Sequence, residues 1–267
     1  LSSMVVEILR LGVYQIIYMD KVPESAAVNE SVKLAKKLTR GLSGFVNAIL
    51  RSVIREQDSI GIEDLAANDI EAISFIYNIP LWLINLWISE FGRDKTEDLC
   101  AWFNEQPKLT ARINTILIDI PQCLTMLNEQ GWSVTQDSNY EDIIYINNHR
   151  GSLEKSEAFI KGYITFMDKA SMLVARLVNP QPGERILDCC AAPGGKSMYM
   201  ATLMDNVGSL MSCDIHEHKI ELMNSNADRL GASIVHTKVQ DATKLPDSWN
   251  SYFDRVLVDA PCSGLGI

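Results

Sequence analysis

The 267-residue sequence has no apolar run that approaches the roughly 20 residues needed to cross a bilayer. It has no Cys-x-x-Cys pair, and its six cysteines follow no repeating spacing, with only Cys189 and Cys190 adjacent. Both facts argue against a structural zinc site and against a disulfide scaffold, so no metal is expected and a reducing, cytoplasmic setting is. A secretory leader is not expected either, because Leu1-Ser2-Ser3-Met4 runs straight into a helical pattern. Positive charge is scarce: 24 Lys and Arg stand against 34 Asp and Glu, a net of −10. Taken alone, that balance argues against a nucleic-acid partner. The charge is uneven, however. Residues 1–60 hold eight basic and six acidic side chains, and residues 61–104 hold two and eight. Any contact with RNA is therefore expected from the first segment rather than the second.

What the sequence does have is a small-residue turn, Asp188-Cys189-Cys190-Ala191-Ala192-Pro193-Gly194-Gly195-Lys196-Ser197. It follows a short apolar run, Arg185-Ile186-Leu187, and precedes a helical stretch from Met198 to Met204. A strand, a tight turn and a helix in that order present backbone N–H groups and a helix N-terminus to a ligand. The same alternation continues. Ser209 to Cys213 reads as a strand ending at Asp214. Lys219 to Leu230 reads as a helix with Ile220, Met223, Ala227 and Leu230 inward. Ile234-Val235-His236 is a strand followed by Asp241, and Arg255 to Val258 is a strand ending at Asp259. This is a doubly wound α/β pattern, in which ligands lie at the carboxyl ends of the strands. One aspartate closing a strand is an ordinary turn residue; four in series, Asp188, Asp214, Asp241 and Asp259, point to a lined site.

Upstream, three amphipathic helices are expected. Val5–Met19 would bury Ile8, Leu11, Ile16 and Met19. A helix over 25–39 would bury Val28, Val32, Ala35 and Leu38. Phe45–Arg55, after breaks at Gly41 and Gly44, would carry Phe45, Ile49 and Val53 on one face. Lys33, Lys36, Lys37 and Arg40 crowd the end of the second helix, where they suit either a solvated face or RNA. Residues 61–104 read as helical and acidic, with Pro80 starting a helix and Gly92 ending it. There Trp82, Trp87, Phe91 and Trp102 raise a base-stacking reading, but interleaved Leu83, Leu86 and Ile88 favour packing. From 105 to 150 the period changes to that of a small α+β segment. Its strands are expected at Leu109–Asn114, at 132–134 and at 143–146, with a helix over Pro121–Gly131.

Three cofactors compete for the glycine turn. A phosphate-binding P-loop requires a glycine five positions before Gly195, where Cys190 stands. A dinucleotide fold requires G-x-G-x-x-G, and the loop reads A-A-P-G-G-K. S-adenosylmethionine remains. It needs room for an amino-acid moiety beside the turn, an acid for the ribose hydroxyls and a polar group near adenine. Asp214, 19 residues past Gly195, suits the ribose, and Asp241 suits the adenine.

Here a resemblance enters. Asp188–Lys196 is similar to the cofactor loop of RNA cytosine-C5 methyltransferases, and Asp259-Ala260-Pro261-Cys262-Ser263-Gly264-Leu265-Gly266 to the motif that ends their fourth strand. Leu9-Arg10-Leu11-Gly12-Val13-Tyr14-Gln15, Ala27-Val28-Asn29-Glu30 and Gly44–Arg51 resemble the second half of the NusB-like helical domain that fronts the bacterial RsmB/Sun family of 16S ribosomal RNA methyltransferases. The resemblance covers nearly the whole chain. It implies a multidomain α plus α/β protein in three parts. A partial NusB-like helical domain would take 1–60. A helical linker with a ferredoxin-like RNA-binding subdomain would take 61–158, and a partial Rossmann-like methyltransferase domain 159–267. It implies S-adenosyl-L-methionine as cofactor, held by Cys190, Ala191, Ala192, Pro193, Gly194, Gly195, Lys196, Asp214, Asp241 and Asp259, and small-subunit ribosomal RNA as partner. Thr110-Ala111-Arg112-Ile113-Asn114 corresponds to a family strand in which Arg112 would either touch RNA or form a structural ion pair.

Methylating carbon 5 of cytosine requires a thiolate on carbon 6, an acid near N3 and a later base. The resemblance makes Asp259 and Cys262 the catalytic residues, with Asp259 at N3. In the RNA enzymes the cysteine matching Cys262 assists release, and a second cysteine on a later loop is the nucleophile. On that basis the 267-residue chain is expected to lack the nucleophile, to bind cofactor weakly and not to methylate RNA, and its fourth strand is expected at an open sheet edge. A non-catalytic RNA- or ribosome-binding protein with a vestigial cofactor domain is the alternative.

Overall fold

A computed structural model describes residues 1–56 and 70–264. The stretch 61–69, read from sequence as part of the acidic helical segment, lies outside the described residues, as do Leu265 and Gly266 of the strand-four motif. The chain divides into two compact units, Leu1–Glu105 and Gln106–Ile267.

The first unit is helical. Helices α1 (Ser3–Tyr18), α2 (Glu24–Leu38) and α3 (Ser43–Glu56) enclose one core of Val5, Ile8, Val28, Ala35, Val46 and Leu50. The helices fall where the periodicity places them, but Leu38 at the end of α2 is exposed rather than buried, and two faces are rotated from expectation. On α3 the buried residues are Val46 and Leu50, while Phe45 and Ile49 are exposed. On α1 the buried residues are Val5, Ile8 and Gly12, while Leu11 and Met19 are exposed. Gly12 explains the shift: a Cβ there would lie 2.8 Å from both Leu50 Cδ1 and Ser31 Oγ. The missing side chain lets α1, α2 and α3 close on each other along the Gly12 line, and that contact selects Leu50 over Ile49. Gly44 falls inside the first turn of α3 rather than breaking the chain.

Helices α4 (Ile70–Tyr77), α5 (Leu81–Phe91) and α6 (Arg93–Asn104) form a second cluster around Ile73, Leu83, Ile84, Trp87 and Cys100. Pro80 and Gly92 flank α5 as expected. Trp87 packs, stacked on Phe103 at 5.5 Å, and Trp102, though exposed, meets the same ring edge-on at 5.2 Å, while Trp82 and Phe91 are exposed. Among the described residues no single helix is long and apolar enough to cross a membrane; α4 and α5 reach that length only as a pair bent by 117°.

The second unit holds two sheets. Strands β1 (Thr110–Ile113), β2 (Ser133–Gln136), β3 (Ile143–Asn148) and β4 (Ile164–Phe166) form an antiparallel sheet in the order β2-β3-β1-β4. Helix α7 (Ile120–Glu129) packs on one face through Cys123 and Leu127, against Ala111, Ile113, Ile144 and Ile164. All four residues of β1 are buried, including Thr110 and Arg112. The alternation read from sequence is real, but its polar face points into the rest of the unit rather than to solvent.

After the one-turn α8 (Glu157–Ile160) and β4, helix α9 (Lys169–Leu177) leads into the parallel sheet. That sheet comprises β5 (Arg185–Asp188), β6 (Ser209–Asp214), β7 (Val235–Val239) and β8 (Arg255–Leu257), in the order β7-β6-β5-β8. Helices α10 (Gly195–Leu203) and α11 (Glu217–Leu230) connect β5 to β6 and β6 to β7. Chain order runs outward from β5 in one direction and then jumps to β8 on its other side. The reversal point between β5 and β8 is where an open parallel sheet forms its ligand crevice. Among the described strands β8 is an edge, as expected, with Val256 exposed. Ile143 of the antiparallel sheet joins Met172, Ile186, Met198 and Tyr199 in one buried cluster, so the two sheets share a core.

Candidate cofactor site

The loops after β5 and β8 form the two lips of the crevice. The first is fixed on both sides: Cys189 N–H donates to Leu257 O at 2.9 Å, and Ala191 N–H donates to Cys213 O at 2.7 Å. Gly194 N–H closes the turn on Ala191 O at 2.7 Å, and Asn226 Nδ2 of α11 donates to Pro193 O at 3.2 Å. Gly194 has φ +98°, and a Cβ on it would lie 3.2 Å from Met198 Cε and 3.3 Å from Met223 Cγ. The turn therefore needs glycine for conformation and for space. Gly194 also caps α10, and no side chain accepts from the helix's first N–H groups. The positive end of α10 therefore lies at this loop without a side-chain cap.

The carboxylates take different roles. Asp188 is 1% exposed; Ser197 Oγ donates to its Oδ2 at 2.7 Å, and its Oδ1 has no partner. Burial raises its pKa to about 6, partly offset by the Ser197 hydroxyl and the Cys190 N–H. Asp214 is buried at the end of β6. Its Oδ1 accepts from His216 N–H at 3.0 Å, and Oδ2 lies 3.8 Å from Lys219 Nζ. Gln240 N–H donates to Asp214 O at 3.0 Å, which sets the turn holding Asp241 beside it. Asp241 itself accepts from both the N–H and hydroxyl of Thr243, and those bonds lower its pKa. Asp259 pairs with Lys196 Nζ at 2.5 Å, so one ion pair joins the two lips. The Cys190 thiol is pushed up first by burial and then by Asp188, Asp214 and Asp259. The loop touches the same acids through its bonds: Ser197 donates to Asp188, Lys196 pairs with Asp259, and Ala191 N–H is bonded to the carbonyl just before Asp214, while the raised pKa keeps Cys190 a protonated lining group. Cys262 lies exposed beyond Asp259, its Sγ accepting from Gly264 N–H at 3.4 Å. All six cysteines are free thiols.

Sequence reasoning missed three neighbours of the loop. Ser197 closes on Asp188; as the polar residue on the first helical turn, it was the one with a signal. Met167, whose Sδ would lie 3.7 Å from a Cβ on Gly195, and Asn226 had none. Arg112 corrects an expectation outright. It is fully buried, so it does not reach RNA, and no carboxylate pairs with it. Its Nη1 donates to Thr202 Oγ1 at 3.2 Å, while Nε and Nη2 have no partner. Desolvation lowers its pKa to about 10. Among the described residues no group of three or more His, Cys, Asp or Glu is placed to hold a metal.

A uncapped helix start, a glycine cradle, an unpaired buried carboxylate oxygen and a carboxylate-lined crevice suit a cationic, ribose-bearing ligand better than a polyphosphate. Fold and loop together define the Rossmann-like domain of an S-adenosylmethionine-dependent methyltransferase. Comparison with known proteins agrees along the chain. Residues 1–55 match the NusB family, 79–151 the ferredoxin-like domain of RsmF/B-type methyltransferases, and 175–267 the 16S rRNA methyltransferase RsmB/F family. The chain belongs to this RsmB/F methyltransferase family. It is 38% identical, over 98% of its length, to a probable ribosomal RNA small subunit methyltransferase B of Bacillus subtilis. It spans 58% of that relative's length. The crystal structure of PH0851 superposes with a TM-score of 0.74 at 25% identity, covering 97% of this chain and 58% of the other. The structure of NSun6 from Pyrococcus horikoshii with SFG shares the fold, with a TM-score of 0.61 at 18% identity over 68% of this chain and 71% of that one.

Proposed function

We propose that the protein binds S-adenosyl-L-methionine in this crevice and serves the methylation of cytosine C5 in small-subunit ribosomal RNA. The observation that carries the reading is the placement of three strand-end acids about this loop at the β5/β8 reversal point: Asp188 accepts from Ser197, Asp259 pairs with Lys196, and Asp214 follows the carbonyl that accepts from Ala191 N–H. Residues 190–196 would hold the amino-acid end against uncapped α10, Asp214 the ribose hydroxyls and Asp241 the adenine side. When bound, the cofactor supplies a methyl group on a positively charged sulfur, and a carboxylate-lined wall suits that charge.

The chemistry on the base follows from its electronics. A cysteine thiolate adds to C6, and the C5=C6 electron pair becomes available at C5. After C5 gains its methyl group, its proton passes to a base, the C6–S bond breaks, and the double bond returns. Asp259 is assigned to N3 of the cytosine, held at the lip by Lys196. Cys262, exposed three residues on, is assigned to the release step. Mixing the chain with cofactor and a small-subunit RNA fragment carrying 5-fluorocytidine tests this division, since fluorine at C5 blocks proton removal and traps the adduct. With Cys262 assigned to release rather than attack, no denaturant-stable adduct is expected on Cys262 in the wild-type chain. An adduct on the wild-type chain that vanishes in Cys262→Ala would make Cys262 the nucleophile.

A further inference from the structure

Two helices begin at the candidate cofactor site, and the antiparallel sheet holds the far end of each. Helix α10 starts at Gly195 and carries Tyr199 and Thr202 one and two turns on. Helix α11 starts three residues after Asp214 and ends at Leu230. Strand β1 and the residue after it reach both. Arg112 Nη1 donates to Thr202 Oγ1 at 3.2 Å, and the guanidinium lies over the Tyr199 ring, 5.1 Å from its centroid. Asn114 Nδ2 donates to Leu230 O, the last carbonyl of α11, and to Gly162 O, each at 2.9 Å. Thr202 Oγ1 lies 3.4 Å from Asn114 Oδ1 and 3.1 Å from Met198 O, either of which can accept its one proton. Asp142, just before β3, accepts the Tyr199 hydroxyl proton at 2.7 Å and is tied to β1 through Ile113 N–H. Arg112, Asn114 and Tyr199 are fully buried, so water does not compete for these bonds.

We propose that Arg112, Asn114 and Asp142 are positioning residues for the cofactor loop, holding the distal ends of α10 and α11 so that Gly194–Lys196 and Asp214 keep their places. The lever is long enough to matter. At 1.5 Å per residue α11 spans about 20 Å, so a tilt of about 3° at Leu230 displaces its Glu217 end by roughly 1 Å. A displacement of that order is enough to impair a preorganised site. The arrangement also explains why β1 is buried on both faces: Ala111 and Ile113 fill the α7 core, while Arg112 and Asn114 serve the helices of the parallel sheet.

The inference rests on the cofactor reading, and its test separates the two. Hydrogen exchange of the 191–199 and 214–219 amides is measured in the 267-residue chain without ligand, beside calorimetric binding of S-adenosylhomocysteine. Asn114→Ala and Thr202→Val are expected to speed exchange in both segments by about tenfold and to weaken binding by a similar factor. Thr202→Ser, which keeps the hydroxyl, is expected to restore wild-type exchange. Leu127→Ala, which opens the α7 core without touching either helix, is expected to lower global stability and leave the two segments unchanged relative to the rest. If the wild-type chain binds no S-adenosylhomocysteine, the cofactor reading fails while exchange still decides the positioning role. Should Asn114→Ala not fold, the Thr202 pair decides alone. Wild-type exchange in Thr202→Val, or a change no larger than that in Leu127→Ala, overturns the proposal.

Discussion

Asp188→Asn should change how the stability of the second unit depends on pH. The wild-type carboxyl is enclosed, and the Ser197 hydroxyl and the Cys190 N–H only partly offset its loss of water. Its folded pKa of about 6 stands above the ordinary 3.8 because burial withholds water from the charged form. A raised folded pKa favours folding while the group is protonated. The contribution is therefore fully present below about pH 3.8 and lost as pH rises through about 6. The shift of about 2.2 units corresponds to about 3 kcal/mol at 1.36 kcal/mol per unit. Asparagine has nearly the same shape and no charge. Whatever its constant cost in hydrogen bonding, the stability of Asp188→Asn relative to wild type should improve by about 2 kcal/mol between pH 4 and pH 7, less than the full 3 because the unfolded carboxyl is already partly ionised at pH 4. Urea unfolding followed by circular dichroism at half-unit steps measures the difference, in which other titrating groups largely cancel. A difference constant with pH would refute the claim that this carboxyl is strained by burial.

Three further outcomes test the packing and the site. Gly162→Ala should destabilise the second unit severely, because at φ +73° its Cβ would lie 2.1 Å from Arg229 O; a thermal melt that moves by less than a few degrees contradicts this. Leu50→Ala should cost about 2–5 kcal/mol and Ile49→Ala under about 1, since Leu50 is buried against Gly12 and Ile49 is exposed; equal costs in urea would restore the face expected from periodicity alone. Lys196→Met should leave stability within about 1 kcal/mol, because its Asp259 partner is half exposed; a larger loss in the same assay would make that ion pair structural rather than functional.

The architecture was legible wherever local chemistry set it. Pro80 and Gly92 mark α5, and the small residues at 190–195 announce a turn between strand and helix. Asp188, Asp214 and Asp259 sit where an apolar run stops, and Asp241 two residues past the more polar β7. What could not be read was set by partners distant in the chain. The phase of α3 depends on the missing side chain of Gly12, more than thirty residues upstream, so Phe45 and Ile49 satisfied the periodicity as well as Val46 and Leu50. Arg112 looked like a surface cation because a strand of alternating character has a wet face by default. Its second face is instead closed by α10, whose Thr202 lies 90 positions away. The pairing of Lys196 with Asp259 was equally hidden, although both residues had been placed in the site.

The central claim is that the loop after β5 and the acid after β6 hold S-adenosylmethionine. Calorimetric titration of the cofactor into the 267-residue chain and its Asp214→Ala variant tests it most directly. Two hydrogen bonds from ribose hydroxyls to a buried carboxylate, at about 1.5–3 kcal/mol each, predict one site per chain in the wild type and a loss of at least about a hundredfold in the variant. Equal affinity in the two proteins, or no heat of binding in the wild type, would contradict the account.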